Sequence, residues 1–427
     1  MEELLSSHNQ TTIDRCSKQT RVFLTMDTME VDLTKSNPPV QGTGPLRTGK
    51  RKGFFFHPMY AVNENGLPLG VVDQVIWTRN PASGNKSASG RKNEPTNASS
   101  EEKESSRWLK MMQRGKQIAR SLPHVQFVAS ADIESDISEL LSEASERPEN
   151  YNFIIRQNHP QPITAAVDSS TGKSITAATV DEALSLAEWR TERDVHVDGQ
   201  DALERQAHGK RSQKQPQIAH DGKISTKAIT VTIAVPRRSS GGALEDLTIN
   251  VVEVREQNLS TEKAPSRWLL FTSLPITTVE QLNDTIDGYR LQSKVGLYFT
   301  TLTNGLKIEE LNCETLEQYL TEFSVFAEVA WRVEYLTGAA YSDPESSCET
   351  YFLPEEWIAV MGFLGRPIDR ENPPGVRTFM LSVAQLGGYI NKKSQGDPGS
   401  KTLWGGMAKF DTIVGAFAIF NQLRAQG

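Results

Sequence analysis

Two aspartates in this sequence each follow a run of hydrophobic and small residues. Asp27 ends the stretch "RVFLTMD", and Asp132 ends the stretch "VQFVASAD". Runs of this composition predict buried strands, which would place each carboxylate at the end of a strand and at the edge of a sheet. Two such strands can hold a divalent cation between their carboxylates.

The chemistry that such a pair supports is phosphoryl transfer. With a third carboxylate from a later helix, the pair can hold two metal ions. One ion activates the attacking water or hydroxyl, and the other stabilises the leaving oxygen. Strand-end aspartates also form turns and cap helices, and the pattern alone leaves these roles open for both residues.

The segments around the two aspartates predict further strands and helices. The stretches "GFFFHPMYAVN" and "PLGVVDQVIWTR" are joined by "ENGLP" and predict a hairpin. The stretch "SRWLKMMQRGKQIARSL" has the spacing of an amphipathic helix, whereas the polar residues 79–106 predict a loop. A second helix is expected after Asp132, with Ser135 and Asp136 at its start.

The middle of the chain predicts strands, and the last third predicts helices. The strand candidates are "YNFIIRQN", "KAITVTIAV", "LTINVVEVRE" and "RWLLFTSLP", with the hydrophilic residues 190–226 expected to form a loop. From Thr278 onward the pattern is helical. A long helix is expected to end near Gly338, and an amphipathic last helix is expected over Ala408–Leu423.

The composition is that of an ordinary soluble protein, with 37% hydrophobic and 23% charged residues. No apolar run approaches the roughly 20 residues that span a bilayer, so no membrane partner is expected. The acidic, polar N-terminus is not typical of a signal peptide. Cys16, Cys313 and Cys348 form no zinc pattern and no disulfide framework. A reducing, cytoplasmic location is therefore expected.

The net charge of −7 argues weakly against a nucleic-acid partner, because phosphate binding depends on Lys and Arg. Local basic clusters limit this argument, since a basic groove can lie on an acidic protein. The clusters are "RTGKRKG", "GKRSQK", "PRR" and "NKK", and each is also typical of a solvated loop.

Several motifs in one order resemble a known family. The first is "MDTMEVD", followed by "GTGPL", by the hairpin "GFFFHPMYAVNENGLPLGVVDQVIW" and by "KESSRWL". The next are "ADIESDI", in which Ile133 stands where the family has Arg, and "RWLLFTSLPI". The last is "LGGYINKKSQGDPGSKTLWGGMAKFDTIVGAF". Together they span about residues 1 to 427 and resemble the bacterial DDE transposases of the Tn-five-like, insertion-sequence-four type.

The resemblance implies a fold of the α/β (α+β) class. An RNase H-like catalytic core would occupy residues 1–150 and 271–345, interrupted by a β-rich insertion at 151–270. An α-helical dimerisation region would follow at 346–427.

The resemblance also implies a function. Such proteins excise a DNA element by metal-dependent strand cleavage, pass through a hairpin intermediate and join the freed ends to target DNA. Asp27 and Asp132 would be the catalytic residues that hold Mg²⁺ or Mn²⁺. Trp268 would accept a flipped base by stacking, although a tryptophan at this point of a strand is also typical of an ordinary core residue.

The family has a signature helix on which a Tyr is followed by Arg, the catalytic Glu and Lys at steps of three, four and seven. These steps place all four side chains on one helix face, at about 100° per residue. In "YRLQSKVGLYFTTLTNG" the register begins at Tyr289, the DNA-binding position that is retained. It puts Gln292 at the Arg position, Gly296 at the Glu position and Thr303 at the Lys position.

No other acid is expected to replace the missing glutamate. Asp287 lies nine residues before Gly296 and so points away from its face, and Glu310 lies fourteen residues after it, roughly 21 Å along the axis. Loss of one ligand of a two-metal centre removes charge that stabilises the developing phosphorane, so catalysis is expected to be impaired.

Three functions therefore stay open. The first is a cut-and-paste DNA transposase with impaired cleavage, acting on element ends and target DNA as a homodimer. The second is a non-catalytic protein that forms heterodimers with an intact transposase and inhibits it. The third is a nuclease that works with two aspartates and a recruited water. Asp27 also lies too near the start of the chain for the family's N-terminal DNA-binding domain, which is expected to be missing.

Overall fold

The computed structural model describes residues 2–47, 50–79, 105–132, 147–157, 161–197, 220–233, 246–257, 267–390 and 397–426. Within these ranges the protein is a mixed α/β fold with one 13-stranded sheet. Three expectations lie outside the described ranges. They are most of the loop at 79–106, the helix that begins at 135–136, and the basic clusters at 209–214, 236–238 and 391–393.

The strands of the described part are, in chain order, β1 Arg21–Met26, β2 Met29–Asp32, β3 Gly44–Pro45, β4 Lys52–Asn63, β5 Pro68–Trp77, β6 Gln126–Asp132, β7 Tyr151–Arg156, β8 Ala165–Asp168, β9 Ser174–Ile175, β10 Thr191–Val197, β11 His220–Ile233, β12 Leu247–Gln257 and β13 Arg267–Thr272. The α-helices are α1 Glu2–Cys16, α2 Ser105–Ser121, α3 Val180–Leu186, α4 Val279–Arg290, α5 Ser293–Thr300, α6 Leu316–Ser342, α7 Pro354–Phe363, α8 Val376–Leu386 and α9 Ser400–Gln426.

Strand β1 lies in the middle of the part of the sheet that carries both aspartates. On one side it pairs antiparallel with β4, which in turn pairs antiparallel with β5. On the other side it pairs parallel with β6, which pairs parallel with β7. Strands β1 and β6 are buried over Val22–Met26 and Phe127–Ala131. The predicted strands, hairpin and amphipathic helix α2 of this part are confirmed.

The sheet continues from β7 through β13, β12 and β11 to β8 and β9. All of these pairings are antiparallel. The expected loop over 190–226 is wrong at both ends, because β10 begins at Thr191 and β11 begins at His220. Strand β10 is polar in sequence because β11 is its one strand partner in the described sheet, and an edge strand leaves many of its side chains in solvent.

Helix α6 packs across the hairpin and begins with a capping box between Thr315 and Gln318. Its Phe323 is fully buried and contacts Phe54 and Phe56 of β4 edge to face, with ring centroids 5.5 and 5.0 Å apart. The helix runs beyond Gly338 to Ser342, so the expected end near Gly338 is wrong. A Cβ at Gly338 would lie 3.1 Å from Leu67, which indicates that the glycine permits close packing there.

The last three helices form a separate hydrophobic cluster with the end of α6. At its centre are the rings of Phe352, Phe379 and Phe410. The centroid of Phe352 lies 4.7 Å from that of Phe379 and 5.7 Å from that of Phe410. This cluster fixes α8 and the first half of α9 on α6 and α7.

We expect Phe323→Ala to lower the free energy of unfolding by about 3–5 kcal/mol, because it removes a fully buried ring and leaves a cavity between α6 and the hairpin. Urea denaturation followed by circular dichroism measures the change. The matched control is Val325→Ala on the same helix, where the side chain is 52% exposed and a change within about 0.5 kcal/mol is expected. Equal losses in the two variants would contradict the assignment of this core.

Candidate active site

Asp27 lies at an interruption between β1 and β2, two strands that pair with the same partner. Met26 is opposite Met59 of β4, and Met29 is opposite Phe56. The two residues between them, Asp27 and Thr28, leave the ladder. The Asp27 carboxylate accepts a 2.7 Å hydrogen bond from the Thr28 backbone N–H. This contact holds the half-buried carboxylate at the end of β1.

Thr28 in turn contacts a buried histidine below the site. Its Oγ1 lies 2.9 Å from Nδ1 of His57, and the His57 ring contacts Trp108 of α2 edge to face at 4.5 Å. Burial, and then the positive charge of Arg107, lower the pKa of His57 to about 3. His57 is therefore neutral near pH 7 and supplies no positive charge to the site.

Asp132 lies beside Asp27 because β1 and β6 pair in parallel. Met26 is opposite Ala131, so the next residue of each strand is an aspartate. Neighbouring strands lie about 4.8 Å apart, which brings the two carboxylates to the same edge of the sheet. The structure thus brings together the two residues that the sequence singled out. Their function as metal ligands stays a prediction.

Arg156, at the end of β7, contributes a positive charge to this edge. Asp132 is opposite Arg156 in the parallel pairing of β6 with β7. The Nη1 of Arg156 donates a hydrogen bond to Oδ2 of Asp132 at 3.1 Å, and both side chains are partly exposed, at 29% and 38%. Arg156 also bonds the Tyr289 side chain.

Tyr289, near the end of α4, is buried against the same group of residues. Burial raises the pKa of its hydroxyl, and the negative charge of Asp132 raises it further, so the phenol stays protonated. The ring of Tyr289 lies 5.8 Å from that of Trp268 on β13. Trp268 is partly exposed beside it, and DNA contact by either residue stays a prediction.

The signature stretch does not form the single regular helix that the sequence predicted. Helix α4 ends at Arg290 and α5 begins at Ser293, and a π-helical turn follows at Thr301–Gly305. In that turn the Leu306 N–H bonds the Thr301 carbonyl, five residues back. The expectation of one uninterrupted helix is therefore wrong. Tyr289 lies in α4, Gly296 in α5 and Thr303 in the π-helical turn.

The three positions that the resemblance aligns with Arg, Glu and Lys carry uncharged residues. Gln292 donates from Nε2 to the carbonyl oxygen of Met26 at 2.7 Å, which ties the end of β1 to the start of α5. Gly296 follows four residues later, about 6 Å along the axis. Thr303 bonds its own helix, from Oγ1 to the Phe299 carbonyl at 2.9 Å. None of the three brings an acid or a cation to the site.

The two acids considered as replacements are paired elsewhere. Asp287 accepts two hydrogen bonds from Arg193 of β10, at 2.7 and 2.9 Å. Glu310 pairs with Lys307 at 2.8 Å and is 68% exposed. Neither contributes a carboxylate to Asp27 and Asp132, in agreement with the helical spacing.

Among the residues that the structure describes, the donor set does not fit a two-metal centre. Within the described ranges, no group of three or more His, Cys, Asp or Glu side chains could hold a metal ion. Asp27 and Asp132 supply two carboxylates, and Arg156 occupies one oxygen of the second. Two carboxylates are enough for a single hydrated Mg²⁺ in general, but not for the paired ions of phosphoryl transfer.

Sequence reasoning missed Arg156 and the contact made by Gln292. The sequence signal for Arg156 was present, since an arginine closes the strand candidate "YNFIIRQN". The role of Arg156 depends on β7 being the strand beside β6. The residues of β7 alone do not reveal which strand is its neighbour. The Gln292 contact joins residues 266 positions apart and has no local signal.

Fold and site together define a mixed α/β protein with paired carboxylates at a sheet edge and a helical C-terminal part. Residues 328–421 match the family model of the Tn5 transposase dimerisation domain. The match begins within α6 and covers α7, α8 and most of α9. It supports a relationship to the Tn5-like transposases and self-association through the C-terminal helices.

Helix α9 is unusually apolar for its exposure. By length and composition alone, its residues Lys401–Arg424 would be able to cross a membrane, with a mean hydropathy of 1.2 in the best window and 17% of that window buried. Most of this stretch lies inside the matched dimerisation domain. Contact with a second protein chain is therefore an alternative reason for its apolar character.

We expect the protein to lose stability as the pH falls below about 6.5, because His57 binds a proton in the unfolded chain but not in the folded one. Its contribution is fully present above pH 6.5 and declines by up to about 1.4 kcal/mol per pH unit until the pH reaches its folded pKa of about 3. His8, whose pKa is lowered to about 4 mainly by burial, adds to the same trend.

The measurement is urea denaturation between pH 7.5 and 4.5 for the wild type and for His57→Asn. The variant keeps an amide near Thr28 but does not titrate, so its stability should fall less steeply with decreasing pH. A slope unchanged in His57→Asn would contradict the assignment of a buried, neutral His57.

Proposed function

We propose that this protein is a Tn5-like, cut-and-paste type transposase that associates with itself and with DNA ends but is impaired in strand cleavage. The observation that carries the proposal is the pair Asp27 and Asp132 at one sheet edge, where Gln292 at the start of α5 bonds the Met26 carbonyl and α5 itself contains no acidic residue. The dimerisation-domain match over residues 328–421 supports the same lineage.

The proposed impairment has an electrostatic cause. Strand cleavage at a phosphodiester develops negative charge on the phosphoryl oxygens and on the leaving oxygen, and paired metal ions stabilise this charge. A third carboxylate helps to hold the second ion. Here the corresponding helix has a glycine, and the amide of Gln292 is bonded to the backbone of β1. Within the described part of the chain, the site therefore keeps its two aspartates without a third carboxylate for the full reaction.

The proposed DNA contacts lie beside the carboxylates. Tyr289 and Trp268 pack together, and Arg156 lies between Tyr289 and Asp132. An aromatic ring that is partly exposed beside a guanidinium group offers both a stacking surface for a base and a partner for phosphate. We propose that an element end approaches this edge and that its terminal base stacks on Trp268, as the resemblance implies.

A second candidate function is inhibition of an intact transposase. The retained dimerisation domain favours it, because a chain that dimerises without cleaving would form inactive heterodimers. The two candidates differ in what they require. The first requires residual binding to DNA ends, whereas the second requires only that the C-terminal helices pair with those of the partner.

We expect the wild-type chain to show no strand nicking above background on labelled duplexes taken from the DNA that flanks its gene, with either Mg²⁺ or Mn²⁺. The variant Gly296→Glu, combined with Gln292→Arg and Thr303→Lys, restores the charges of the family signature and should nick the same duplexes detectably. Denaturing gel electrophoresis of the labelled strands measures both results.

The control for this experiment is the same triple variant carrying Asp27→Ala, which should abolish any nicking that the triple variant gains. Robust nicking by the wild type that disappears with Asp27→Ala would overturn the proposed impairment. Wild-type nicking that survives Asp27→Ala and Asp132→Ala would remove these residues from the site.

The end of α9 gives a separate prediction about self-association. Ile419, Phe420 and Leu423 are 60%, 61% and 64% exposed, and spacings of three and four residues place Leu423 beside both of the others on the helix surface. Three large apolar side chains at this exposure are typical of a protein contact. We propose that they pair with a second chain.

We expect Phe420→Asp to shift the protein from dimer toward monomer, with at least a tenfold weaker dimer, because it would bury a charge in an apolar interface. Sedimentation velocity over a concentration series measures the dissociation constant. Asn421→Asp adds the same charge at the adjacent exposed position and is the matched control, expected to stay within about threefold of the wild type. Equal weakening by both would place the interface elsewhere.

A further inference from the structure

We propose that Arg156 takes the place of a divalent cation at the carboxylate pair, so that the folded chain holds its site without metal. The inference rests on the proposed function in one respect, namely that Asp27 and Asp132 are the remaining carboxylates of a metal-dependent site. It differs from what the resemblance implies, because the resemblance assigns Mg²⁺ or Mn²⁺ to these two residues.

The first observation behind this inference is the position of Arg156. It is the residue directly opposite Asp132 in the parallel pairing of β6 with β7, and its Nη1 lies 3.1 Å from Oδ2 of Asp132. A hydrogen bond to Tyr289 holds the same guanidinium from the side of α4. The arginine is thus fixed by two elements and directed at the carboxylate that a metal would need.

The second observation is the charge at the sheet edge. Asp27 and Asp132 bring two negative charges to one edge, and repulsion between them is relieved by whichever cation lies close. Arg156 supplies one positive charge there without an ion from solution. A divalent cation at the same place would have to displace the guanidinium from Asp132 and then lie near its charge, which lowers its affinity.

The third observation is the hydrogen bond to a backbone oxygen of the site. Mg²⁺ and Mn²⁺ bind oxygen ligands, and a carbonyl at a strand end can supply one. The carbonyl oxygen of Met26, directly before Asp27, already accepts the 2.7 Å hydrogen bond from Gln292. Gln292 therefore occupies a lone pair of this oxygen, at the position where the family has a cation.

The test is a titration with Mn²⁺ alone, without DNA, in which electron paramagnetic resonance measures the free ion. We expect weak binding by the wild type and roughly tenfold or tighter binding by Arg156→Gln, because the variant removes a like charge and releases a carboxylate. Arg156→Lys keeps the charge and should bind as weakly as the wild type. Arg156→Gln combined with Asp132→Asn should lose the gain.

Arg21→Gln is the matched control. Arg21 lies at the opposite end of β1 and pairs with Asp284 at 2.7 Å, so this variant removes the same charge from an Arg–Asp pair far from the site. Its Mn²⁺ affinity should equal that of the wild type. Circular dichroism and the melting temperature of each variant establish that it is folded before its titration is interpreted.

Two outcomes would overturn the inference. One is tight Mn²⁺ binding by the wild type that Asp132→Asn abolishes, a result that does not depend on the folding of any Arg156 variant. The other is a folded Arg156→Gln protein with unchanged affinity. Neither outcome tests the proposed function. That proposal is tested by DNA nicking, whereas this inference is tested by Mn²⁺ affinity measured without DNA.

Discussion

The parallel pairing of β1 with β6 is the constraint on which the rest of the site depends. Because Met26 is opposite Ala131 in this register, Asp27 and Asp132 are neighbours although they lie 105 positions apart in the sequence. A shift by one residue would send one of the carboxylates to the other face of the sheet. The buried side chains of both strands fix this register, so the hydrophobic core and the chemistry of the edge share one cause.

Placing two carboxylates together has an electrostatic cost, and the surrounding residues reduce it. A backbone N–H binds Asp27, and the guanidinium of Arg156 binds Asp132. On the helix side, an uncharged amide at Gln292 bonds a backbone carbonyl. His57 below the site is neutral. One positive side chain of the chain itself, Arg156, therefore relieves part of the repulsion between the two carboxylates.

Much of this arrangement could be predicted from the sequence. Short hydrophobic runs gave β1, β4, β5, β6 and β7 because their burial is local and regular, and the helical spacing gave α2 and the beginning of α6. Strand β10 was missed because its polar side chains follow from its position at an edge, and that position depends on β11. The end of α6 was misplaced because Gly338 serves packing against Leu67, which lies far away in sequence. Arg156 and Gln292 act through partners that only the folded sheet brings to them.

The π-helical turn at Thr301–Gly305 has a consequence for any side chain introduced into it. A turn closed over five residues rotates the chain by fewer degrees per residue than an α-helix does, so spacing alone does not give the direction of a side chain at position 303. The Thr301 hydroxyl, which donates to Glu334 of α6, anchors this turn from outside. A charged residue placed at position 303 would then be directed by this turn and by its contact with α6 rather than by ideal helical spacing. Residue type and side-chain direction are thus separate variables at this point of the chain, and a change at Glu334 of α6 would alter the second without touching the first.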